Sequence, residues 1–137
     1  MTGTGRCAPT GKPAALAIIV VSYNVRELLR ACLRATFDSL TEASGIAAQV
    51  WVVDNASSDG SAAMVQERFP SARLIEPGEN RWFSGGNNLG IRAAQGDYVH
   101  ILNPDTVTLP GALPAMIAAL DADPSLGAVT SRMAYED

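Results

Sequence analysis

The stretch Leu16-Ala-Ile-Ile-Val-Val21 decides the fold, because it is an unbroken apolar run rich in β-branched residues. Runs of this kind are typical of strands that are buried on both faces, as in a parallel sheet. From residue 25 onward, apolar residues recur at the spacing of one helix face. The sequence therefore predicts a buried strand and then a helix packed on the sheet, with Asn24 as the N-cap and Glu27 completing a capping box.

Strands and helices continue to alternate along the rest of the chain. Further apolar runs predict strands at 49–53, 73–75 and 97–102, and another strand is predicted to begin at 127–130. Helices are predicted from Ser57 or Ser58 to about residue 69, after a Gly- and Asn-rich loop over 78–88, and from Pro110. This alternation predicts the α/β class, with a mostly parallel, doubly wound sheet flanked by helices.

The composition is that of one folded domain that does not bind nucleic acid. The chain has 137 residues, of which 47% are hydrophobic and 18% charged, as is typical of a globular protein. Its formal net charge is -4 and it has no run of Lys or Arg, whereas a nucleic-acid backbone binds to basic surfaces. A small phosphorylated ligand can still bind if a divalent cation supplies positive charge.

The N-terminal segment and the cysteines indicate a cytoplasmic protein. We predict a flexible tail over residues 1–13 and one domain over residues 14–137. The tail has no apolar core of the signal-peptide kind, and the longest apolar run, residues 14–21, is too short to cross a bilayer. Cys7 and Cys32 form no disulfide framework, so we expect both to be free thiols in a reducing cytosol.

Polar residues follow three of the predicted strands and should meet at one rim of the sheet. They are Ser22-Tyr23-Asn24, Asp54-Asn55 and Asn103-Pro104-Asp105. Ligands of open α/β sheets bind outside the carboxyl ends of the strands. Asp105 has two interpretations: it holds Mg²⁺ or Mn²⁺ against a diphosphate, or it belongs to a plain turn.

Other residues near this rim also have two interpretations each. Asp54 accepts donors from a pyrimidine ring or a ribose, or it forms an Asx-turn or cap at the start of the next helix. Asn24 has the same two interpretations. Gly85 and Gly86 either let a ligand approach the backbone or only form a loop. His100 lies in an apolar strand, so we expect it to pack in the core and not to bind a ligand.

Four motifs occur in order along the chain. They are Val20-Val-Ser-Tyr-Asn24, Val52-Val-Asp-Asn-Ala-Ser-Ser-Asp-Gly-Ser61, Phe83-Ser-Gly-Gly-Asn-Asn-Leu-Gly-Ile91 and Gly96-Asp-Tyr-Val-His-Ile-Leu-Asn-Pro-Asp-Thr106. Together they resemble family 2 glycosyltransferases of the GT-A fold, especially the rhamnosyltransferase-like branch, from Leu16 onward. The resemblance implies a nucleotide-sugar-binding domain and transfer of a sugar, with inversion, from a nucleotide diphosphate to an acceptor hydroxyl.

The resemblance also implies a role for individual residues. Asp54 would meet the base, Asp105 would bind the divalent metal (Mg²⁺ or Mn²⁺), and Asn103 would lie near the ribose or the diphosphate. The implied nucleotide-binding set is Ser22, Tyr23, Asn24, Asp54, Gly86, Asn87, Asn88 and Asn103. The implied partners are a dTDP- or UDP-sugar and a glycan or lipid-linked acceptor of the cell envelope, with peripheral contact at the inner face of the membrane.

The chain departs from the family pattern at two positions and ends before its acceptor half. Asn103 stands where the first carboxylate of a DxD motif is usual, and Asn87 stands where many relatives carry an arginine. The family's catalytic base follows the last strand seen here, so we assign no catalytic residue and expect donor binding with weak or no transfer.

Two other classes of function remain open. One is a non-catalytic or split nucleotide-binding module whose open face pairs with a partner chain. The other is a related sugar-nucleotide enzyme, such as a nucleotidyltransferase. That class has a glycine-rich, basic loop after the first strand, and Tyr23-Asn-Val-Arg26 is not such a loop.

Overall fold

A computed structural model describes residues 15–135 of the chain. The tail predicted over residues 1–13, and with it Cys7, lies outside the described residues. The four strands are β1 (Ala15–Ser22), β2 (Ala47–Asp54), β3 (Arg73–Ile75) and β4 (Tyr98–Leu102). The four helices are α1 (Arg26–Glu42), α2 (Ser61–Arg68), α3 (Trp82–Ala93) and α4 (Ala112–Ala122). The predicted alternation of strands and helices is confirmed from β1 to α4.

The four strands form one sheet in the order β3-β2-β1-β4, and every neighbouring pair is parallel. The chain moves outward in one direction from β1 to β3 and then crosses to the other side of β1 for β4. The strand order therefore reverses between β1 and β4, which is where open α/β sheets bind ligands. Ser22 pairs with Asp54 and Val20 pairs with Leu102, so the carboxyl ends of β1, β2 and β4 lie at one rim.

Each face of β1 packs against different helices because side chains alternate along a strand. Leu16, Ile18 and Val20 belong to the main core, which also contains buried residues of α1, α2 and α4. The opposite face of β1 packs against α3 at very short range. A Cβ built on Gly86 would lie 2.7 Å from Val21 Cγ1, and one built on Gly90 would lie 2.4 Å from Ile19 Cγ2. The two glycines let α3 approach the sheet closely.

The expected capping box of α1 is wrong. The helix begins at Arg26 after Val25, and Asn24 lies outside it with a positive φ of 52°. The Asn24 side chain instead accepts hydrogen bonds from the backbone N–H of Ser58, at 2.8 Å, and from the Ser58 hydroxyl. The backbone N–H of Arg26 donates to Asp59 Oδ2 at 2.9 Å, so the cap of α1 comes from the loop after β2.

Two helix starts and one predicted strand also differ from the sequence prediction. The helix expected from Ser57 or Ser58 begins at Ser61, because the Ser57 hydroxyl and the Ser58 N–H are hydrogen-bonded to Asn24. The last helix begins at Ala112, after a turn at Pro110 and Gly111. Residues 127–130 form no strand, since no strand of the described chain pairs with them.

The second half of the loop predicted over residues 78–88 is helical. Residues 84–88 lie within α3, which begins at Trp82. Their Gly and Asn content suggested a loop, but packing of α3 on β1 overrides that local preference. The asparagines of this segment therefore have fixed positions on a helix face.

β4 is an edge strand with one open face. Val99 and Ile101, which lie on the side of the sheet that carries α3, are each 47% exposed. On the other face, His100 is half-buried beside a cavity of 280 Å³ that α4 and residues 127–129 also line. Burial lowers the pKa of His100, as expected for a packed, neutral histidine. No helix of residues 15–135 is both long and apolar enough to cross a membrane.

Candidate functional site

Two buried polar atoms without partners mark the ends of β1 and β2. Ser22 is 1% exposed and Asp54 is 3% exposed, and the two residues are register neighbours. Neither Ser22 Oγ nor Asp54 Oδ1 has a hydrogen-bond partner among the described residues. Buried polar groups are rarely left unsatisfied, so such atoms at the carboxyl ends of parallel strands are suited to a ligand.

The two carboxylate oxygens of Asp54 differ in their contacts. Its Oδ2 atom accepts a hydrogen bond from the backbone N–H of Ser57 at 3.0 Å, which is the Asx-turn interpretation. Its Oδ1 atom is the one that stays unpartnered. One carboxylate oxygen therefore shapes the loop after β2, and the other is a buried acceptor without a partner among the described residues.

The remaining polar side chains of this loop hold neighbouring segments. Ser57 Oγ accepts from the backbone N–H of Asn24 at 2.9 Å, and Ser58 donates to the Asn24 side chain. Asp59 accepts from Arg26 and from the N–H and hydroxyl of Ser61. These side chains fix the path of the chain after β1.

Asp59 is the loop carboxylate whose ionisation is tied to these contacts. Its slight burial would by itself raise its pKa, but the hydrogen bonds from Ser61 and from the backbone N–H of Arg26 outweigh burial. The net effect is a pKa below the ordinary value. The ionised form of Asp59 is therefore stabilised by folding, which is typical of a structural carboxylate.

Asn55 is a site residue to which the sequence analysis gave no role. It is buried, its backbone N–H donates to the Ser22 carbonyl at 2.8 Å, and its side chain reaches α3. Asn55 Nδ2 donates to the Trp82 carbonyl at 3.1 Å, and Oδ1 accepts from the Arg81 N–H at 3.2 Å. The sequence signal was a polar amide directly after a buried strand. Asn55 therefore connects the ends of β1 and β2 to the start of α3.

Left-handed backbone is concentrated at this rim. Asn24, Ala56 and Trp82 are the non-glycine residues with positive φ within residues 15–135, at 52°, 61° and 58°. All three lie in segments joined by the hydrogen bonds of the loop after β2. Strained backbone of this kind persists where surrounding contacts enforce it, and it is found often at binding sites.

The three predicted site residues of α3 have different surroundings. Gly86 lies against Val21 and Asn55, so it has a packing role. Asn87 is buried, with Nδ2 donating to the Phe83 carbonyl at 2.9 Å and Oδ1 unpartnered. Asn88 is exposed. Asn87 thus adds a third buried, unpartnered oxygen.

The Asn103-Pro104-Asp105 segment is a turn that continues from the end of β4. The Asn103 carbonyl accepts hydrogen bonds from Thr106 Oγ1 at 2.7 Å and from the buried Cys32 thiol at 3.5 Å. Burial raises the pKa of Cys32 to about 11, so the thiol is a neutral donor at this position. The turn interpretation is therefore correct for the backbone, while the Asp105 side chain is exposed to solvent.

A divalent cation at this segment would need ligands from both the protein and the substrate. Among residues 15–135, no group of three or more His, Cys, Asp or Glu side chains is placed to hold a metal. Asp105 offers one exposed carboxylate. Mg²⁺ is often bound by one or two carboxylates, with substrate phosphates and water completing its shell. The residues present are compatible with that kind of binding.

Comparison with known proteins gives the family. A model described as glycosyl transferase family 2 matches residues 17–137. The succinoglycan biosynthesis protein ExoO of Rhizobium meliloti is 34% identical over 105 residues, which cover 76% of this chain and 29% of that protein. The N-acetylglucosaminyl-diphospho-decaprenol L-rhamnosyltransferase of Mycobacterium tuberculosis is 29% identical over 125 residues, which cover 83% of this chain and 39% of that protein. The chain spans about a third of the length of these relatives.

Solved structures share the fold. The mannosyltransferase PcManGT from Pyrobaculum calidifontis, in complex with GDP-Man and Mn²⁺, matches with a TM-score of 0.71 and 29% identity. That match covers 93% of this chain and 37% of that chain. S. aureus TarS 1-349 matches with a TM-score of 0.67 and 20% identity, over 79% of this chain and 32% of that chain. The predicted GT-A fold is thereby confirmed.

Proposed function

Because this chain belongs to glycosyl transferase family 2, we propose that it binds the nucleotide-sugar donor of an inverting sugar transfer. The observation that carries the proposal is the pair of buried, unpartnered atoms Ser22 Oγ and Asp54 Oδ1. They lie side by side on β1 and β2, at the rim where this sheet topology binds ligands. Asp54 Oδ1 accepts a donor from the pyrimidine ring or the ribose, and Ser22 Oγ donates or accepts beside it.

The other expected site residues border the donor in this proposal. Tyr23 is half-exposed next to Ser22 and offers a ring face to the base. Asn87 Oδ1 and the exposed Asn88 lie on α3, facing the diphosphate and the sugar. Asn24 shapes this side of the pocket through its bonds to Ser58. Gly86 allows α3 to lie close enough to the rim for these contacts.

The diphosphate is neutralised by a divalent cation in this proposal, since the protein is acidic. Asp105 would hold Mg²⁺ or Mn²⁺, and Asn103 would lie near the ribose or the diphosphate. A cation bound there would supply positive charge beside the nucleotide diphosphate, the leaving group of the transfer to the acceptor hydroxyl. Support comes from PcManGT, a structural relative in complex with GDP-Man and Mn²⁺. The proton of the acceptor hydroxyl is taken by a base that we do not assign to residues 15–135.

The relatives support a chemical class for the donor and for the acceptor. We propose a dTDP- or UDP-sugar as donor and a glycan or a lipid-linked glycan as acceptor, reached at the inner face of the membrane. Support comes from the name of the rhamnosyltransferase relative, in which a diphospho-decaprenol carries the acceptor sugar. ExoO, named for succinoglycan biosynthesis, supports envelope polysaccharide as the product class.

Calorimetric titration of the 137-residue chain with UDP, dTDP and GDP, with and without Mn²⁺, tests the proposal. We expect Mn²⁺ to strengthen binding of UDP or dTDP more than that of GDP, the purine control, and Asp105→Ala to weaken Mn²⁺-dependent binding about tenfold by removing the metal carboxylate. Asp38→Ala, which removes one exposed carboxylate from α1, is the matched control and should bind as the wild type does. Equal binding with and without Mn²⁺, or by Asp105→Ala, contradicts the metal role of Asp105.

A second candidate function is a split module that a partner chain completes. The observation that favours it is the open face of β4, where Val99 and Ile101 remain half-exposed on an edge strand of the described sheet. Apolar strand edges of this kind pair readily with another chain. Sedimentation velocity over a wide range of concentration should then show self-association of the wild type, which Ile101→Lys prevents. A wild type that sediments as a monomer at every concentration counts against this candidate.

A further inference from the structure

Trp82 has a strained backbone and a side chain that is mostly exposed to solvent. Its φ of 58° is in the left-handed region, which is unfavourable for a bulky L-residue. Its side chain is 78% exposed, and the residue lies outside the main apolar cluster. A glycine adopts this backbone without strain, whereas the mostly exposed Trp82 side chain gains little packing among residues 15–135 in return for the strain.

Two asparagine side chains hold Trp82 in this conformation. The Trp82 N–H donates to Asn80 Oδ1 at 2.8 Å, and its carbonyl accepts from Asn55 Nδ2 at 3.1 Å. Asn55 is itself buried and fixed by its other contact, the Arg81 N–H. The position of the Trp82 backbone is therefore set by the surrounding residues, as expected for strain that is retained at a functional site.

The same hydrogen bonds place Trp82 beside the candidate nucleoside pocket. Asn55 directly follows Asp54, whose Oδ1 atom has no partner, and the Asn55 N–H donates to the Ser22 carbonyl. The Trp82 backbone thus lies one side chain away from both residues that carry the proposed function. An aromatic ring that begins there is within reach of a planar group bound at Asp54.

We propose that the Trp82 indole forms a wall of the nucleoside pocket and stacks on the base of the nucleotide that Asp54 binds. This inference rests on the proposed function and adds a residue that determines affinity for the base. We expect stacking on one base to contribute about tenfold in affinity, which corresponds to about 1.4 kcal/mol. The base supplies the contact surface that the exposed indole lacks in the free protein.

The test uses Trp82 as its own fluorescent probe. The chain contains two tryptophans, and Trp51→Phe leaves Trp82 as the remaining one while keeping an aromatic ring for Arg73 to lie over. In that background, titration with UDP or dTDP in the presence of Mn²⁺ should quench the Trp82 emission. Trp82→Gly should weaken binding of the same nucleotide about tenfold. Trp82→Phe keeps a ring and should recover most of the affinity.

Inorganic pyrophosphate with Mn²⁺ is the control ligand, because it has no base. The Trp51→Phe parent and its Trp82→Gly variant should bind pyrophosphate with the same affinity. The urea unfolding midpoint of Trp82→Gly should not fall below that of the parent. If the Trp51→Phe parent binds a nucleotide and Trp82→Gly binds it equally well, this inference alone is overturned. Nucleotide binding by the parent without any change in Trp82 emission has the same consequence. A parent chain that binds no nucleotide overturns the proposed function and this inference together.

Discussion

Asp54→Asn is expected to weaken binding of UDP and dTDP about thirtyfold, because hydrogen bonds to a charged group contribute roughly 2 kcal/mol. The amide keeps one oxygen to accept from the Ser57 N–H but places an NH₂ group where Oδ1 now has no partner. A base N–H or a ribose hydroxyl would then meet a donor in place of an acceptor. The free energy of unfolding should change little, since the bond that shapes the loop is retained.

Calorimetry of nucleotide binding and urea unfolding measure the two effects separately, and Asp59→Asn is the matched control. Asp59 lies in the same loop, but its carboxylate accepts from the Arg26 and Ser61 N–H groups. Folding lowers its pKa, so its stabilising effect is present above its ordinary pKa and is lost as the pH falls through the lowered value. Asp59→Asn should therefore reduce stability near neutral pH and leave nucleotide affinity close to that of the wild type. Undiminished nucleotide binding by Asp54→Asn would falsify the assignment of Asp54.

Gly90→Ala is expected to lower the free energy of unfolding by about 2 kcal/mol, as overpacking of a filled core does. The added Cβ would lie 2.4 Å from Ile19 Cγ2, and Ile19 is fully buried in the central strand. Helix α3 must then move away from β1, or Ile19 must leave its rotamer. Either change reduces the contact that holds α3 on the sheet.

Urea unfolding followed by circular dichroism measures this loss. Gly127→Ala is the control, because a Cβ at Gly127 meets no atom within 4 Å and its φ is not positive. It should unfold at the wild-type midpoint. A Gly90→Ala protein with the wild-type midpoint would show that α3 is not held by close packing on Ile19.

Several features of the site were predictable because they depend on residues that are close in sequence. A carboxylate or amide directly after a buried strand must lie at the sheet rim, so Asp54 and Asn103 were placed correctly by the sequence alone. The two interpretations of Asp54 were both derived from its local chemistry, and its two oxygens allow both. The motifs also indicated the family that the comparisons confirm.

The errors occurred where distant residues decide local structure. Asn24 resembled a helix cap, but Ser58, which is far along the chain, binds its side chain. Residues 84–88 resembled a loop, but they are helical because α3 packs on β1. The i, i+4 spacing of Gly86 and Gly90 was a signal for a closely packed helix, but Gly86 was assigned to the loop and only Gly90 to the helix.

The run Leu16–Val21 determined by itself that a buried strand begins the domain, and the periodicity after it determined the alternation of strands and helices. These features are local, since they follow from the backbone geometry of strands and helices. Only the tertiary structure decided that β4 pairs with β1 and not with β3, so that the end of β4, with Asn103, lies beside the end of β1 and not beyond β3. Pairing and hydrogen bonds between distant segments, such as that from Asn55 to Trp82, depend on packing of the whole sheet, and no short stretch of sequence contains that information.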